Sequence, residues 1–216
     1  MKLPLLIRDR LTKWMYFVLG TAATIIIYSF TNRVHYFEPR YLQFDAIDRM
    51  MPFWPWTIWI YLTEFIIFIC AYFALRSKEL QSRYFYAYMT LLVLSAIVFV
   101  LYPVTFPRAD YPTYSANFNE KGMEFLRTYM DSPANCLPSL HVSTSLISAL
   151  AFWKESRWKA WVFMIWAIAI SITTMTTKQH YFIDVWTATI LTFVVFWFFT
   201  YKVKIVGSAN DAGANR

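Results

Sequence analysis

The stretch YFYAYMTLLVLSAIVFVLY, residues 84–102, decides the fold class because it contains no Lys, Arg, Asp or Glu. A helix that crosses a lipid bilayer needs about 20 mostly apolar residues, and this stretch supplies that length. Five further segments have the same character, and they lie at about 14–31, 57–76, 138–153, 160–177 and 182–202. The segment 138–153 has fewer apolar residues than the others. We therefore predict an all-α integral membrane protein with a bundle of six transmembrane helices.

The Lys and Arg residues are unequally divided between the two ends of these predicted helices. With the N-terminus inside, the inner segments contain 13 of the 20 basic residues but only four of the 13 acidic residues. Positively charged loops stay on the cytoplasmic side, so we expect both termini there and the outer loops on the periplasmic side of a bacterial inner membrane. A eukaryotic endomembrane with a luminal site fits the same pattern. The net charge of +7 then reflects topology, and it does not indicate nucleic-acid binding.

A single membrane domain is predicted over residues 1–204, followed by a disordered cytoplasmic tail at 205–216. In the outer loop before the fourth helix, residues 117–130 place aromatic and aliphatic side chains near helical spacing, with charged side chains between them. This pattern predicts a helix that lies in the membrane interface. We expect that helix to border a lateral opening for a lipid tail. The pattern says nothing about the oligomeric state.

Two of the three histidines lie in short motifs at the predicted outer ends of helices, whereas His35 is expected to be an interfacial anchor. His180 and Asp184 are four residues apart, and on a helix this spacing places both side chains on one face. A carboxylate in that position holds an imidazole in one tautomer and stabilises its positive charge, which suits a nucleophilic or basic histidine. His141 could then serve as the proton donor.

The motif Pro138-Ser139-Leu140-His141 is suited to binding an anion. Proline fits the first turn of a helix, where its missing N–H costs nothing. We therefore expect Ser139, Leu140 and His141 to present unbonded backbone N–H groups at the positive end of the fourth helix.

Two basic residues could complete a phosphate site, and one acidic residue is a separate functional candidate. Arg108 could bind phosphoryl oxygens through two parallel hydrogen bonds, and Lys178 could add a point charge close to His180. Arg108 could equally cap a helix or contact lipid headgroups, and an interfacial lysine is the simpler interpretation of Lys178. Glu64 lies about two turns inside the second helix, where an ionisable group is costly and often functional, although a hydrogen bond to a neighbouring tyrosine is an equal alternative.

These motifs resemble the type-2 phosphatidic acid phosphatase superfamily of integral membrane lipid phosphatases and phosphotransferases over about residues 45–195. The family pattern contains Lys-x6-Arg-Pro, Pro-Ser-Gly-His and Ser-Arg-x5-His-x3-Asp. The chain departs from it at Leu140 in place of glycine, at Thr173 and Thr174 in place of Ser-Arg, and at Leu101 and Ala109 around Arg108. The Pro-Ser-Leu-His and Gln-His-Tyr-x-x-Asp forms resemble the branch that contains inositol phosphorylceramide synthases.

The resemblance implies a mechanism at the matching positions. His180 would attack phosphorus and form a phosphohistidine, while Asp184 orients its ring. His141 would protonate the leaving alkoxide and then activate the acceptor. Arg108 would bind the phosphate, and we infer that Lys178 replaces the arginine missing at position 174. Lipid phosphates are then the substrates and membrane lipids the partners, and no metal or cofactor is implied.

Three functions remain open at this stage. Cleavage of a lipid phosphate ester or diphosphate is the favoured function, and transfer of a phospho-headgroup to a lipid alcohol is the alternative with the same catalytic residues. A lipid transporter or scramblase is the non-enzymatic alternative, although the chain has only four glycines and no evident pair of interrupted helices. A vanadium haloperoxidase fits less well because the basic first motif is missing.

Overall fold

The computed structural model describes residues 1–34, 36–114, 117–130 and 134–207, and it is mostly helical. In chain order the α-helices are α1 Arg10–Thr31, α2 Ala46–Met50, α3 Ile58–Leu62, α4 Glu64–Ala74, α5 Lys78–Leu101, α6 Phe118–Phe125, α7 Leu140–Leu150, α8 Arg157–Thr176 and α9 Phe182–Trp197. Single 3-10 turns lie at Pro55–Thr57 and Arg108–Asp110, and π-helical turns lie at Leu126–Met130 and Phe198–Lys202. Four short strands complete the fold, namely β1 Lys2–Pro4, β2 Arg40–Tyr41, β3 Val104–Thr105 and β4 Lys204–Val206.

Within the described residues, five helical segments are long and apolar enough to cross a membrane. They are Arg10–Thr31, Pro55–Ala74, Lys78–Leu101, Arg157–Thr176 and Phe182–Lys202. The protein is therefore consistent with an integral membrane protein. The segment predicted at 138–153 forms the 11-residue helix α7, which is shorter than a span requires by itself.

Helix α7 lies in the centre of the bundle. All of its residues are buried, and it packs against α4, α5, α8 and α9. Its hydroxyl side chains bond back to the helix: Ser145 Oγ donates to the carbonyl of His141, and Ser148 Oγ to that of Thr144, both at 2.7 Å. Because protein surrounds α7, it can carry polar groups that a lipid-facing helix could not.

Strand β1, near the N-terminus, and strand β4, near the last described residue, meet at one end of the bundle, which we call the terminal end. Strands β1 and β4 pair in parallel there, with Leu3 opposite Ile205. The hydroxyl of Ser82 on α5 accepts from the backbone N–H groups of Leu6 and Ile7. Residues 205–206 are thus part of a strand rather than of the predicted tail, and 208–216 lie outside the described residues, as does His35.

The opposite end, which we call the site end, is assembled from loops and short elements. Strands β2 and β3 pair in parallel, and the carbonyl of Val104 accepts from the N–H of Cys136. The predicted helix in 117–130 is present as α6 and the following π-helical turn. Its buried Leu126 packs in one apolar cluster with Ile58 and Tyr61. Its location in the membrane interface stays a prediction.

Candidate active site

His180 and Asp184 contact each other at the site end. His180 Nδ1 lies 3.2 Å from Asp184 Oδ2 and 3.1 Å from the carbonyl oxygen of Cys136. Both side chains are buried, with 3% and 0% exposed. The predicted pairing is therefore present, but its cause differs from the prediction. Helix α9 begins at Phe182, so His180 precedes the helix and reaches Asp184 from the turn before it.

The N-terminus of α9 is held by two carboxylates. Asp184 Oδ2 accepts from the backbone N–H of Tyr181 at 2.9 Å, and Asp48 Oδ1 accepts from that of Phe182 at 2.7 Å. Burial raises the pKa of the Tyr181 phenol, so its hydroxyl stays neutral and donates to the carbonyl of Thr105 at 3.0 Å. Negative charge beside the first N–H groups of a helix is favourable. These contacts fix the backbone that carries His180.

His141 lies in the first turn of α7, and Tyr61 holds it. The Tyr61 hydroxyl is 3.0 Å from Nε2 and 3.2 Å from Nδ1 of His141, and both residues are buried. The ring centroids of His141 and His180 are 5.7 Å apart. The structure thus brings together the two histidines that the sequence motifs singled out, although they are 39 positions apart in the chain.

The start of α7 corrects one part of the predicted anion site. Pro138 precedes the helix, which begins at Leu140 with Ser139 as its N-cap. The hydroxyl of Ser139 accepts from the N–H of Val142, and the N–H of Ser139 donates to the carbonyl of Asp184 at 3.2 Å. Ser139 is therefore a structural cap and not a phosphate ligand through its N–H. Leu140 and His141 remain as first-turn residues whose N–H groups have no acceptor within the helix.

Several buried polar atoms at this site have no hydrogen-bond partner among the described residues. They include His180 Nε2, Asp184 Oδ1, Gln179 Oε1 and Ser143 Oγ. An unsatisfied buried polar group is costly, and such groups concentrate where a ligand supplies the missing bond. The unpartnered Nε2 is the ring atom that a nucleophilic His180 would use, because Nδ1 is occupied by Asp184.

Arg108 and Lys178 occupy different positions relative to this pair. Arg108 is half-buried and lies two residues after Phe106. The ring centroid of Phe106 is 4.7 Å from that of Tyr181, so the segment that carries Arg108 packs beside the turn that carries His180. Lys178 Nζ donates to the carbonyls of Met51 at 2.6 Å and Asp48 at 3.4 Å. Burial lowers the pKa of the Lys178 ammonium, and nearby Asp48 opposes this shift. In this structure Lys178 binds carbonyl groups at the C-terminal end of α2.

A metal ion could be held by one group of side chains within the described residues. Cys136, His180 and Asp184 each offer one ligand atom, and these atoms lie within 4.8 Å of one another. The donor set of thiolate, imidazole and carboxylate suits Zn²⁺. The same atoms orient His180, so metal binding there would displace its hydrogen bond to Asp184.

A cavity of about 390 Å³ adjoins His141. Its walls come from α1, α4, α5, α7 and the π-helical turn after α6, and Glu64 and His141 both line it. Glu64 is 7% exposed, and its Oε1 accepts from Thr144 Oγ1 at 2.6 Å. The candidate residue Glu64 therefore lines the same cavity as His141.

A sequence profile of the PAP2 superfamily matches residues 54–198, which contain both histidines, Asp184 and Glu64. The chain belongs to the PAP2 superfamily. No curated protein and no solved structure matches the chain. Membership in the PAP2 superfamily indicates phosphatase-type lipid phosphoesterase activity in a membrane protein.

Two residues that position the site were not found by sequence reasoning. Tyr61 is one of 15 tyrosines, and neither Tyr61 nor Asp48 lies in a recognisable motif. A signal for Tyr61 was available: it lies three residues before Glu64, so the two share a helix face. Nothing in the local sequence links Asp48 to α9, because their contact joins residues 134 positions apart.

Proposed function

We propose that this PAP2 superfamily protein cleaves a phosphate ester or diphosphate of a lipid through a phosphohistidine at His180. One observation carries the proposal. His180 has Nδ1 held by Asp184 and the Cys136 carbonyl, while its buried Nε2 has no partner among the described residues and the ring of His141 is adjacent. This arrangement is what an oriented nucleophile and a nearby proton donor require.

The reaction has two steps. In the first, His180 Nε2 attacks phosphorus, the bond between phosphorus and the lipid oxygen breaks, and His141 gives its proton to the leaving alkoxide. In the second, His141 takes a proton from water, the water oxygen bonds to phosphorus, and the nitrogen–phosphorus bond breaks to release inorganic phosphate. Asp184 stabilises the positive charge on the His180 ring during both steps.

The negative charge on the equatorial phosphoryl oxygens needs nearby donors. The backbone N–H group of Leu140 is suited to this task, because Leu140 is the first residue of helix α7 and the N-cap Ser139 bonds the N–H of Val142 instead. Arg108 is the remaining cationic candidate, and the packing of its segment beside Tyr181 supports it. Lys178 is a weaker candidate because its ammonium already donates to two carbonyls.

Transfer to a lipid alcohol is a second candidate function, and the cavity beside His141 favours it. An alcohol bound in that cavity would have its hydroxyl at the group that activates the acceptor, and it could replace water in the second step. The resemblance of the motifs to the inositol phosphorylceramide synthase branch supports the same alternative. We place the site on the periplasmic face of a bacterial inner membrane, on the basis of the basic-residue bias.

The test uses purified protein and its His180→Ala variant with a panel of lipid phosphates in chelator, with and without lipid alcohols. We expect phosphate release by the wild type only, together with an acid-labile, alkali-stable phosphoryl group on the protein. Formation of a new phospholipid without free phosphate would identify the transferase. A requirement for added metal would contradict the proposed chemistry. Lipid movement across vesicles without any turnover would favour the transporter.

A further inference from the structure

The proposed reaction does not use Glu64, yet this residue lies where an ionisable group is costly. It begins α4 within the apolar segment Pro55–Ala74, and it is 7% exposed. Carboxylates at such depth commonly serve binding or catalysis. The short hydrogen bond of 2.6 Å from Thr144 fixes the direction of one carboxylate oxygen. A carboxylate can accept further hydrogen bonds beyond this one.

Glu64 belongs to a regular arrangement with the catalytic pair. Tyr61 contacts His141, and Glu64 contacts Thr144. From the first contact to the second, the position increases by three residues on both helical segments. Three residues correspond to about 4.5 Å along a helix. Both helical segments run away from the site end. The carboxylate of Glu64 therefore lies about one turn deeper in the bundle than the imidazole of His141.

The cavity connects these two levels to the outside of the bundle. Its floor contains His141 and Glu64, each 7% exposed, whereas its rim contains Ile25 and Tyr129, which are 60% and 77% exposed. Ile25 lies in the second half of α1, which is long and apolar enough to cross a membrane, so we take the cavity to open toward lipid acyl chains. A lipid can enter there with its polar end at His141 and its chain directed to the rim.

We propose that Glu64 selects lipids that carry a free hydroxyl or amide N–H on the second or third carbon from the phosphoester oxygen; this inference rests on the proposed function. With the ester oxygen at His141, a donor on one of these carbons reaches the carboxylate one turn deeper. The ester oxygen and a donor on an adjacent or alternate carbon are far enough apart to span the distance between the levels of His141 and Glu64. A lysophospholipid phosphate or a sphingoid-type phosphate has such a donor. A diacyl phosphate has only ester oxygens at these carbons. Ester oxygens cannot donate a hydrogen bond to the Glu64 carboxylate.

The test compares lipids that differ only in this donor. The pair is 1-acyl lysophosphatidic acid and its 2-deoxy analogue, with diacyl phosphatidic acid and p-nitrophenyl phosphate as further substrates. In the wild type, we expect kcat/KM for the hydroxyl lipid to exceed that for the deoxy analogue by about 10- to 100-fold, the effect of one hydrogen bond to a charged group. In Glu64→Leu this ratio should approach one, because only the hydroxyl lipid loses a bond.

Two variants serve as controls. Thr24→Val removes a hydroxyl from the opposite wall of the same cavity and should keep the wild-type ratio. Glu64→Gln keeps an acceptor oxygen but loses the charge, so its ratio of kcat/KM for the hydroxyl and deoxy lipids should lie between the wild-type value and one. This variant tests the proposal if Glu64→Leu fails to fold. p-Nitrophenyl phosphate carries no donor for Glu64, so its kcat/KM in each variant is the reference to which the lipid values are normalised.

The outcomes separate the two proposals. Equal kcat/KM for the hydroxyl and deoxy lipids in the wild type would overturn the role of Glu64 and leave a cavity for acyl chains only. A preference that persists in both Glu64 variants would do the same. If no phosphate ester, including p-nitrophenyl phosphate, is cleaved in a His180-dependent manner, the proposed function itself fails.

Discussion

The surroundings of His180 and those of His141 are built in different ways. His180 is held by a carboxylate and a backbone carbonyl, and its turn is fixed by bonds that the N–H groups of Tyr181 and Phe182 donate to the carboxylates of Asp184 and Asp48. His141 is held by the hydroxyl of Tyr61, and it borders a cavity of about 390 Å³. One ring is thus fixed by the fold, whereas the other is adjacent to space for a ligand.

This difference matches the roles that we propose for the two rings. A nucleophile must keep one ring nitrogen aimed at phosphorus, so rigid support at the other nitrogen is useful. An acid–base group must meet first the leaving lipid oxygen and then the acceptor, so access to a cavity is useful. The following experiments test this division, beginning with the largest expected effect.

Replacing His180 should have the largest effect. In His180→Ala we expect kcat for a lipid phosphate to fall by about 10⁴-fold or more, because the covalent step is removed. Steady-state phosphate release in detergent measures it. Asp184→Asn, which keeps the size of the side chain and removes its charge, should retain more activity. If His180→Ala retains a tenth of the wild-type kcat, His180 is not the nucleophile.

Replacing His141 should depend on the leaving group. In His141→Ala we expect a loss of about 10²- to 10⁴-fold for an alkyl phosphate, which needs a proton on its leaving oxygen. p-Nitrophenolate leaves without protonation, so formation of the phosphoenzyme from p-nitrophenyl phosphate should be much less impaired. Stopped-flow release of p-nitrophenolate measures this step. Equal losses for both substrates would count against a proton-donor role.

Tyr61→Phe should have a smaller effect through His141. Loss of one buried hydrogen bond corresponds to about tenfold in kcat for an alkyl phosphate, with little change for p-nitrophenyl phosphate. Tyr84→Phe is the matched control, because Tyr84 is also buried and bonds Ser148 on the same helix α7 at 2.8 Å. A similar loss in both variants would indicate general destabilisation of the bundle and not positioning of His141.

Lys178→Met should have the smallest effect on turnover. We expect a loss of about 1–2 kcal/mol in stability, because the carbonyls of Asp48 and Met51 lose their charged donor. Thermal denaturation in detergent measures it, and Lys178→Arg should recover part of the loss. A rise of tenfold or more in the KM for the lipid phosphate, or in the inhibition constant of inorganic phosphate, would instead support the predicted role of Lys178 in phosphate binding.

The sequence predicted the membrane-length segments and the contact between His180 and Asp184 for a physical reason. Membrane spans follow from local composition, and five of the six predicted segments contain helices that are long enough. The four-residue spacing predicts the His180–Asp184 contact, although His180 reaches Asp184 from the turn before α9 and not from the helix itself. The ends of elements were less predictable. Helix α9 begins after His180 and α7 begins after Pro138, because capping by Asp48, Asp184 and Ser139 decides where each helix starts.

By itself, the sequence determined that this chain is a helical membrane protein with two polar motifs at the starts of helices. Apolar length, charge bias and short-range spacing are local properties, so they are readable without a structure. Only the tertiary structure decided that Tyr61 holds His141, that Glu64 lies one turn deeper beside Thr144, and that a cavity adjoins both levels. These contacts join residues 80 positions apart, and they depend on how helices pack, which local patterns do not encode.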